Sequence, residues 1–353
     1  MLVLQQPPLI LDCFILTRKT FILYKKRIHI IIKRINKEMI YIKMRNNCSR
    51  SKNFIKRIEQ FGADIEFDEK SKIVFISDVH RGDGGYSDSL RQNRNIYKAA
   101  INYYLRNDYK LIELGDGDEL WKNKNLVDIA YNYRDIFKIL NEFNKKKNLY
   151  MVFGNHDMAK ADKDFILKQE KIFKQIGRRF GKDLLNLYKN IDFYEGIVLK
   201  YIPAGKKILA FHGHQVDFMN CDLWRISRFL VRYIWRPMEG IAGFKEPVSP
   251  SSNYDKGTKI DMMLEKVAKK ERKIIICGHT HNDIFPKVSE GLYFNDGCCV
   301  FPSSITTIEI KNGLISLVKW RIEVDNNNIL FVKKNIIGGP EKIEKYFEYA
   351  RNL

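Results

Sequence analysis

The chain has 353 residues and a formal net charge of +20, with 62 Lys and Arg against 42 Asp and Glu. Its hydrophobic fraction of 45% and aromatic fraction of 12% exclude a chain that is disordered along its whole length. The charge excess raises nucleic acid or an anionic membrane as a partner. Its six cysteines show no framework spacing, which favours reduced thiols in the cytoplasm over a disulfide scaffold.

The first 60 residues hold 14 basic and three acidic side chains, which is more than half of the net charge. Asp12, Arg18 and Lys19 interrupt the apolar stretch, so we predict no transmembrane segment there. The positive charge follows the apolar residues, which is the reverse of a signal peptide. Three interpretations stay open: a poorly ordered basic extension, an interfacial amphipathic segment, or translated sequence upstream of a start at Met39 or Met44.

From residue 70 onward, short apolar runs rich in β-branched residues each end in a polar cluster. Five runs predict buried strands over residues 73–77, 111–114, 149–153, 208–211 and 274–277. Helical spacing of apolar residues predicts helices over residues 90–106, 127–144 and about 162–190. Runs at residues 292–295, 305–310 and 314–321 predict further strands, with a hairpin through Asn312 and Gly313. This order predicts an α/β fold with a two-sheet core flanked by helices.

The domain boundaries follow from these patterns. We expect residues 1–60 to be the extension, residues 61–325 the domain, and residues 326–353 a C-terminal tail with a short helix. Residues 217–262 interrupt the domain with a Trp- and Arg-rich stretch and a Pro- and Ser-rich loop. This insert is either an amphipathic helix that covers the sheet or a cap over the functional site.

Five strand ends carry a polar cluster: DVH, GDGD, GNHD, HGH and GHTH. Carboxylate, imidazole and amide groups without cysteine are ligands of hard or borderline divalent metals. In open α/β sheets, sites form outside the carboxyl ends of the strands, so the clusters predict one shared site. Asp-x-His and His-x-His would place both side chains on one side of extended backbone. The glycines beside them permit close backbone approach.

The order of these clusters resembles the calcineurin-like metallophosphoesterase superfamily over about residues 71–310. The resemblance implies a four-layered αββα sandwich, with the helical insert near the active site and a dinuclear metal centre. The ligands it implies are Asp78, His80 and His281 on one ion, Asp116 as the bridge, and Asn155, His212 and His279 on the other. It also implies that His156 acts beside the leaving group, with Asp157 as its orienting partner.

The second cluster departs from the family pattern. It reads GDGDELW, with Asp118 one residue early and Glu119 at the usual spacing of the second acid. His214 is assigned to a substrate contact or a supporting contact, because His212 takes the metal position. Arg81, Arg91 and Arg94 would bind a distal phosphate or, alternatively, be solvated surface residues.

The resemblance predicts hydrolysis of a phosphomonoester, phosphodiester or pyrophosphate by water that two divalent ions activate. Mn²⁺ is the first expectation, and Fe, Zn or Mg also suits the donor set. The GDGDELW block and the Trp/Arg-rich insert look most similar to UDP-diacylglucosamine pyrophosphatases, which implies a lipid-linked or small phosphate-ester substrate. We expect a cytoplasmic protein, with peripheral membrane attachment as an alternative, and leave the oligomeric state open.

Two other functions stay open. A nuclease would suit the positive charge, but no helix-turn-helix, zinc finger or stacking-aromatic signature accompanies it. An inactive scaffold with the same fold would be expected to have substituted ligands, whereas every ligand position here is filled.

Overall fold

The computed structural model describes residues 54–175, 178–221, 224–236 and 254–353. Within them, the strands are β1 (Ala63–Phe67), β2 (Lys72–Ile76), β3 (Lys110–Leu114), β4 (Leu149–Val152), β5 (Phe193–Tyr194), β6 (Gly196–Tyr201), β7 (Lys206–Phe211), β8 (Ile274–Cys277), β9 (Asp283–Ile284), β10 (Tyr293–Asp296), β11 (Ser304–Lys311), β12 (Leu314–Val324) and β13 (Leu330–Lys342). They form a six-stranded sheet one in the order β1-β6-β7-β8-β10-β9 and a seven-stranded sheet two in the order β13-β12-β11-β2-β3-β4-β5. All five strands predicted to precede a polar cluster are present.

Helices cover the outer face of each sheet. Those on sheet one are α1 (Phe54–Phe61), α9 (Tyr254–Glu271) and α10 (Ile343–Asn352). Those on sheet two are α2 (Arg94–Arg106), α3 (Leu126–Asn132), α4 (Arg134–Lys145), α5 (Lys163–Gln175) and α6 (Arg178–Lys189). The predicted four-layered αββα architecture is confirmed.

Strand β2 shows why the predicted strands are continuous apolar runs. Ile73 and Phe75 face the core between the two sheets, whereas Val74 and Ile76 face the helical layer. Because both faces are buried, the strand has no polar alternation. Each such fully buried side chain contributes about 1.5–3 kcal/mol of transfer free energy.

The strand directions bring the carboxyl ends together. Strands β2, β3, β4 and β5 run parallel in sheet two, and β7 and β8 run parallel in sheet one. The β-rich tail then closes sheet two with antiparallel strands β11, β12 and β13. The predicted hairpin joins β11 to β12, with positive φ at both Asn312 (54°) and Gly313 (69°). Positive φ at both central residues is what a type I′ turn requires.

Segments on both sides of the predicted domain pack with it. Helix α1 begins in the predicted extension, and its Phe54, Ile55 and Ile58 are buried in the core of sheet one. The predicted tail contributes strand β13 to sheet two, and α10 buries Ile343 and Tyr346. Both segments therefore belong to one compact unit, Asn53–Leu353, because their apolar faces complete its core. The rest of the predicted extension lies outside the described residues.

Two predicted long helices are each divided. The span 127–144 breaks at Tyr133 into α3 and α4, where the backbone leaves helical geometry (φ −101°, ψ 32°). The span 162–190 forms α5 and α6.

The insert also has different bounds. Its first part forms two short helices, α7 (Phe218–Cys221) and α8 (Trp224–Leu230), followed by a π-helical turn at Val231–Trp235. Its last residues belong to α9, which packs Ile260 and Leu264 into the core. Residues 237–253, which include the first part of the predicted loop, lie outside the described residues, and the last part of that loop is the start of α9.

Candidate metal centre

The five polar clusters meet where the carboxyl ends of β2, β3, β4, β7 and β8 converge. Nine side chains of the clusters, all of them buried, are the candidate metal ligands and their neighbouring histidines. They are Asp78, His80, Asp116, Asn155, His156, His212, His214, His279 and His281. Sheet two supplies the first five and sheet one supplies the last four, so the site exists only where the two sheets are packed together.

Among the described residues, three groups of potential ligands lie in this cluster, and one of them is His80, Glu119 and His156. Asp78, His80 and His281 form another, with His281 Nε2 at 3.0 Å and His80 Nε2 at 3.7 Å from Asp78 Oδ1. Each group has its ligand atoms within 4.8 Å of one another, which is close enough for one ion.

Asp116, His212 and His279 form the third group. Asp116 Oδ2 lies 3.2 Å from His212 Nε2 and 3.8 Å from His80 Nε2, so the same oxygen faces both this group and that of Asp78. The His212 Nδ1–H donates to the Leu114 carbonyl at 3.0 Å. That hydrogen bond fixes the ring and leaves Nε2 as the free donor atom, as expected of a metal-binding histidine.

Several buried atoms of the cluster lack a hydrogen-bond partner among the described residues. They are Asp78 Oδ1, His80 Nε2, Asn155 Oδ1, His212 Nε2 and His279 Nε2. A buried polar atom without a partner typically costs about 1–3 kcal/mol. These atoms are carboxylate, amide or imidazole electron-pair donors that lie in one cluster, and such donors are ligands of divalent cations. The residues present therefore fit a metal centre.

The backbone at the ligands is left-handed rather than extended. The φ angles are 49° at both Asp78 and His80, 51° at Asp116, 71° at His279 and 62° at His281. The expectation that Asp-x-His and His-x-His lie on extended backbone is therefore wrong for the DVH and GHTH clusters. Non-glycine residues adopt this region rarely and at a cost, and such residues concentrate at functional sites.

Two glycines allow the loops to approach this closely. A β-carbon on Gly154 would lie 2.1 Å from Asp116 Oδ1, and one on Gly278 would lie 2.0 Å from Ser77 Oγ. Neither contact is sterically tolerable. The predicted role of these glycines in close backbone approach agrees with the geometry.

The orienting partner of His156 is Glu119, not Asp157. Glu119 Oε1 lies 2.9 Å from His156 Nδ1, while its Oε2 lies 3.0 Å from His80 Nδ1. Trp121 stacks on the His156 ring at 4.1 Å between centroids and 22° between planes. One carboxylate therefore orients both a potential ligand and the predicted catalytic histidine, and an indole fixes the second ring.

Asp157 instead holds the loops together. Its carboxylate accepts hydrogen bonds from the backbone N–H groups of Gly154 (2.7 Å) and Gly117 (3.1 Å). It also forms an ion pair with Lys160 at 2.9 Å. Lys160 also pairs with Asp118 at 2.6 Å. The GDGD and GNHD loops are thus joined by buried charges.

Arg81, a predicted substrate contact, lies inside the protein. Its side chain is fully buried, with a bidentate pair to Glu113 (2.6 and 2.7 Å) and a bond from Nε to Asp118 (2.7 Å). Because every one of these contacts lies inside the protein, Arg81 is part of the buried charge network that includes Lys160.

The remaining predicted contacts are dispersed. Arg94, on α2, pairs with Asp135 at 2.9 Å and lies over the Tyr133 ring, and Arg91 is exposed. His214 is buried beside His212 and His279, at 5.5 and 6.4 Å between ring centroids. Of these three predicted contacts, His214 is the one whose ring lies beside the rings of the cluster.

The charged groups of the cluster shift one another's pKa values. Burial would raise the pKa of Asp116, but the surrounding histidines, His212 foremost, hold it well below its usual value. Burial would lower the pKa of His212, yet the Asp116 and Asp78 carboxylates raise it to about 9. Burial and the nearby His212 lower the pKa of His279. Ionised carboxylates beside imidazoles favour a cation, which binds as it displaces the imidazole protons.

The insert packs on the loop that carries Glu119 and Trp121. Arg232 donates to the backbone carbonyls of Leu120, Trp121 and Asn123, and Arg236 pairs with Asp83 at 2.8 Å. The insert therefore contacts the residue that stacks on His156, which is a position that suits a cap.

Three charged residues of the site were given no role from the sequence. Glu119 was visible as the acid three residues after Asp116, and Lys160 as the base three residues after Asp157. Glu113 was visible as a charge inside the apolar run of β3. Most of their partners, such as His156 for Glu119 and Arg81 for Glu113, follow other strands and could not be paired without the fold.

A family model described as calcineurin-like phosphoesterase matches residues 71–283, and the chain belongs to this family. It is 25% identical over 275 residues to a UDP-2,3-diacylglucosamine hydrolase of Blochmanniella floridana, across 70% of this chain and 97% of that protein. Vps29 of Chaetomium thermophilum matches with a TM-score of 0.35 and 10% identity, across 76% of this chain and 96% of that one. The predicted superfamily is confirmed, and the chain is a metal-dependent hydrolase of phosphate esters.

No helix among the described residues is long and apolar enough to cross a bilayer.

We expect Lys160→Met to destabilise the protein by about 3–5 kcal/mol, because it leaves Asp118 and Asp157 buried without their cation. Burial would raise the pKa of Asp118, but Arg81 and Lys160 hold it at about 2, below its value of 3.8 in unfolded chains. The stabilisation from Asp118 is therefore complete above about pH 4 and is lost as the pH falls towards 2. The variant should accordingly unfold in acid at a higher pH than the wild type.

Urea unfolding at pH 7 and acid titration by circular dichroism measure both effects. The matched control is Lys145→Met, which removes an exposed pair with Glu142 and should cost at most about 1 kcal/mol. Equal losses in the two variants would contradict a stabilising role for the buried network.

Proposed function

We propose that two divalent cations occupy the cluster and that the protein uses them to hydrolyse a diphosphate bond in a lipid-linked substrate. One ion would be held by Asp78, His80 and His281. The other would be held by Asn155, His212 and His279, with Asp116 between them. The observation that carries the proposal is the single Asp116 oxygen facing both groups, surrounded by buried donor atoms without partners.

When bound, such ions neutralise phosphate charge and lower the pKa of a coordinated water towards neutrality. Mn²⁺ suits a donor set that mixes carboxylate, amide and imidazole, and Fe, Zn and Mg are the alternatives. The protein's own part is to hold these donors in place. The hydrogen bonds of Asp78 Oδ2 with the Ser77 hydroxyl (2.6 Å) and the His279 N–H (2.7 Å) support this, because they fix the carboxylate and leave Oδ1 free.

His156 is the proposed proton donor to the departing oxygen. Glu119 accepts from its Nδ1 and so leaves Nε2 for the substrate, while the stacked Trp121 limits rotation of the ring. Burial works against ionisation of Glu119, but His156 and His80 hold its pKa well below the usual value, so it is a carboxylate at neutral pH. A carboxylate in this position stabilises the imidazolium that donates the proton.

The insert supports an anionic and partly apolar substrate. Arg225 and Arg228 lie over the Trp224 ring, and burial together with Arg232 and Arg225 lowers the pKa of Arg228. A group of positive charges that repel one another favours binding of phosphate. Phe229 and Tyr233 are 38% and 58% exposed on the same segment and would contact acyl chains. Such a substrate lies in a membrane, so we propose a cytoplasmic protein that attaches peripherally.

The relative from Blochmanniella floridana is named for a nucleotide-sugar lipid, which supports the same substrate class. We expect a UDP-linked diacyl sugar to be hydrolysed with a kcat/KM at least tenfold above that of aryl phosphates, cyclic nucleotides or single-stranded DNA. A panel of these substrates under one set of conditions measures the preference. Faster turnover of the nucleic acid would favour the nuclease instead and refute the lipid substrate.

We expect EDTA to abolish hydrolysis of bis-p-nitrophenyl phosphate and Mn²⁺ to restore it. Asp116→Asn should lower kcat at least 100-fold while the circular dichroism spectrum is retained, because the shared oxygen loses its charge. Elemental analysis should find close to two ions per wild-type chain and fewer in the variant. Asp64→Asn, at an exposed pair with Lys200, is the control and should keep full activity. A variant at residue 116 with normal kcat and metal content would refute the shared-ligand assignment.

We expect His156→Ala to slow esters with poor leaving groups by about 10²–10⁴-fold and p-nitrophenyl esters much less, because only the former need a proton on the departing oxygen. Glu119→Gln should act in the same direction and more weakly, since it removes the charge and keeps the shape. Rates measured across a series of leaving groups give this dependence as the slope of the logarithm of the rate against the pKa of the leaving group. A uniform loss across the series would contradict proton donation by His156.

A further inference from the structure

A positively charged cavity lies on the surface of sheet one. Its volume is about 380 Å³, and five of its lining residues are basic. They are Lys206, Lys207, Arg272, Lys273 and Arg351. No carboxylate lines the cavity, whereas Phe347 and Ala350 of α10 form a buried apolar floor.

This cavity is separate from the catalytic cluster. Lys206 begins β7, whose carboxyl end leads to His212, and Lys273 precedes β8, which leads to His279. At about 3.3 Å per strand residue, the six residues from Lys206 to His212 span about 20 Å. The two sites thus lie at opposite ends of the same strands, and a ligand in the cavity does not share the metal ligands.

The positive charge of the cavity is mostly uncompensated. Lys273 pairs with Glu59 at 2.7 Å, and both side chains are about one quarter exposed. Lys206, Lys207, Arg272 and Arg351 have no ion-pair partner among the described residues. These four side chains are exposed, and their charges around one concave surface raise the local concentration of anions, an attraction that a low-dielectric floor strengthens.

The backbone that carries these side chains is fixed. Arg272 terminates α9 with a left-handed φ of 52°, and the Lys273 N–H donates to the Ala268 carbonyl at 3.0 Å. Gly205, with φ of 61°, closes the turn before β7 and donates to the Ile202 carbonyl. Phe347 stacks on Tyr201 at 5.8 Å between centroids, which anchors the floor. The basic groups therefore project from rigid elements.

We propose that this cavity binds the phosphate group of an anionic ligand, at a site distinct from the catalytic centre. Arginine matches phosphate oxygens with paired N–H donors, and lysine adds mobile charge around them. The volume admits a phosphate with a small attached group. The source is either a phospholipid headgroup or a soluble phosphate compound. The site is independent of the substrate proposed for the metal centre.

The test compares two variants that lose the same charge. Lys206→Gln with Arg272→Gln alters the cavity, and Lys145→Gln with Lys287→Gln removes two exposed lysines elsewhere. Inorganic phosphate is titrated into the ¹⁵N-labelled, Mg²⁺-loaded protein, and the Gly205 amide signal is followed. We expect a saturable shift in the wild type and the control, with binding at least tenfold weaker in the cavity variant. Phosphoesterase activity should be equal in all three.

The proposal is overturned if Gly205 does not respond to phosphate, or if the cavity variant binds phosphate as tightly as the control. Sedimentation with phosphatidylcholine vesicles, with and without 30% phosphatidylglycerol, then identifies the source. Loss of binding to anionic vesicles in the cavity variant alone identifies a lipid headgroup. Loss of phosphate binding with unchanged sedimentation identifies a soluble phosphate compound.

Discussion

Compensation of buried charge is the constraint on which the site depends. Acidic and basic side chains leave water together where the two sheets meet, and each charged group needs a partner there. Arg81, Asp118 and Lys160 compensate one another beneath the loops. Above them, Asp116 is held ionised by histidines, and the donor atoms left over point to a metal. The same requirement therefore explains both the stability of the loops and their chemistry.

The backbone supports this arrangement at a cost. Five of the seven potential ligands have left-handed φ angles, and glycines permit contacts that a β-carbon would block. Strained residues persist only where the surrounding structure determines them strongly. Here the strain is supported by two cores, one between the sheets and one beneath the helices of sheet two. The packing of the two cores therefore holds the potential ligands in place.

The two positively charged regions of the domain differ in what surrounds them. In the insert, Arg228 lies over the Trp224 ring, and Arg232 contacts the loop that carries Trp121 beside the cluster. The basic cavity at the opposite end of sheet one has an apolar floor and no contact with the metal ligands. Net charge alone could not separate these roles. The two regions are distinguished by their position relative to the carboxyl ends of the strands, because the potential metal ligands lie at those ends.

The sequence by itself determined the strands, the family and the potential ligands, because each is encoded locally by an apolar run followed by a polar cluster. It also located His156 within GNHD. It did not determine that Glu119 rather than Asp157 orients His156, that Arg81 is buried, or that α1 and β13 complete the domain. Those outcomes depend on pairing between segments far apart in the chain, such as Arg81 with Glu113 or β13 with β12. Only the tertiary structure decides them, because a charge is buried or exposed according to what packs against it.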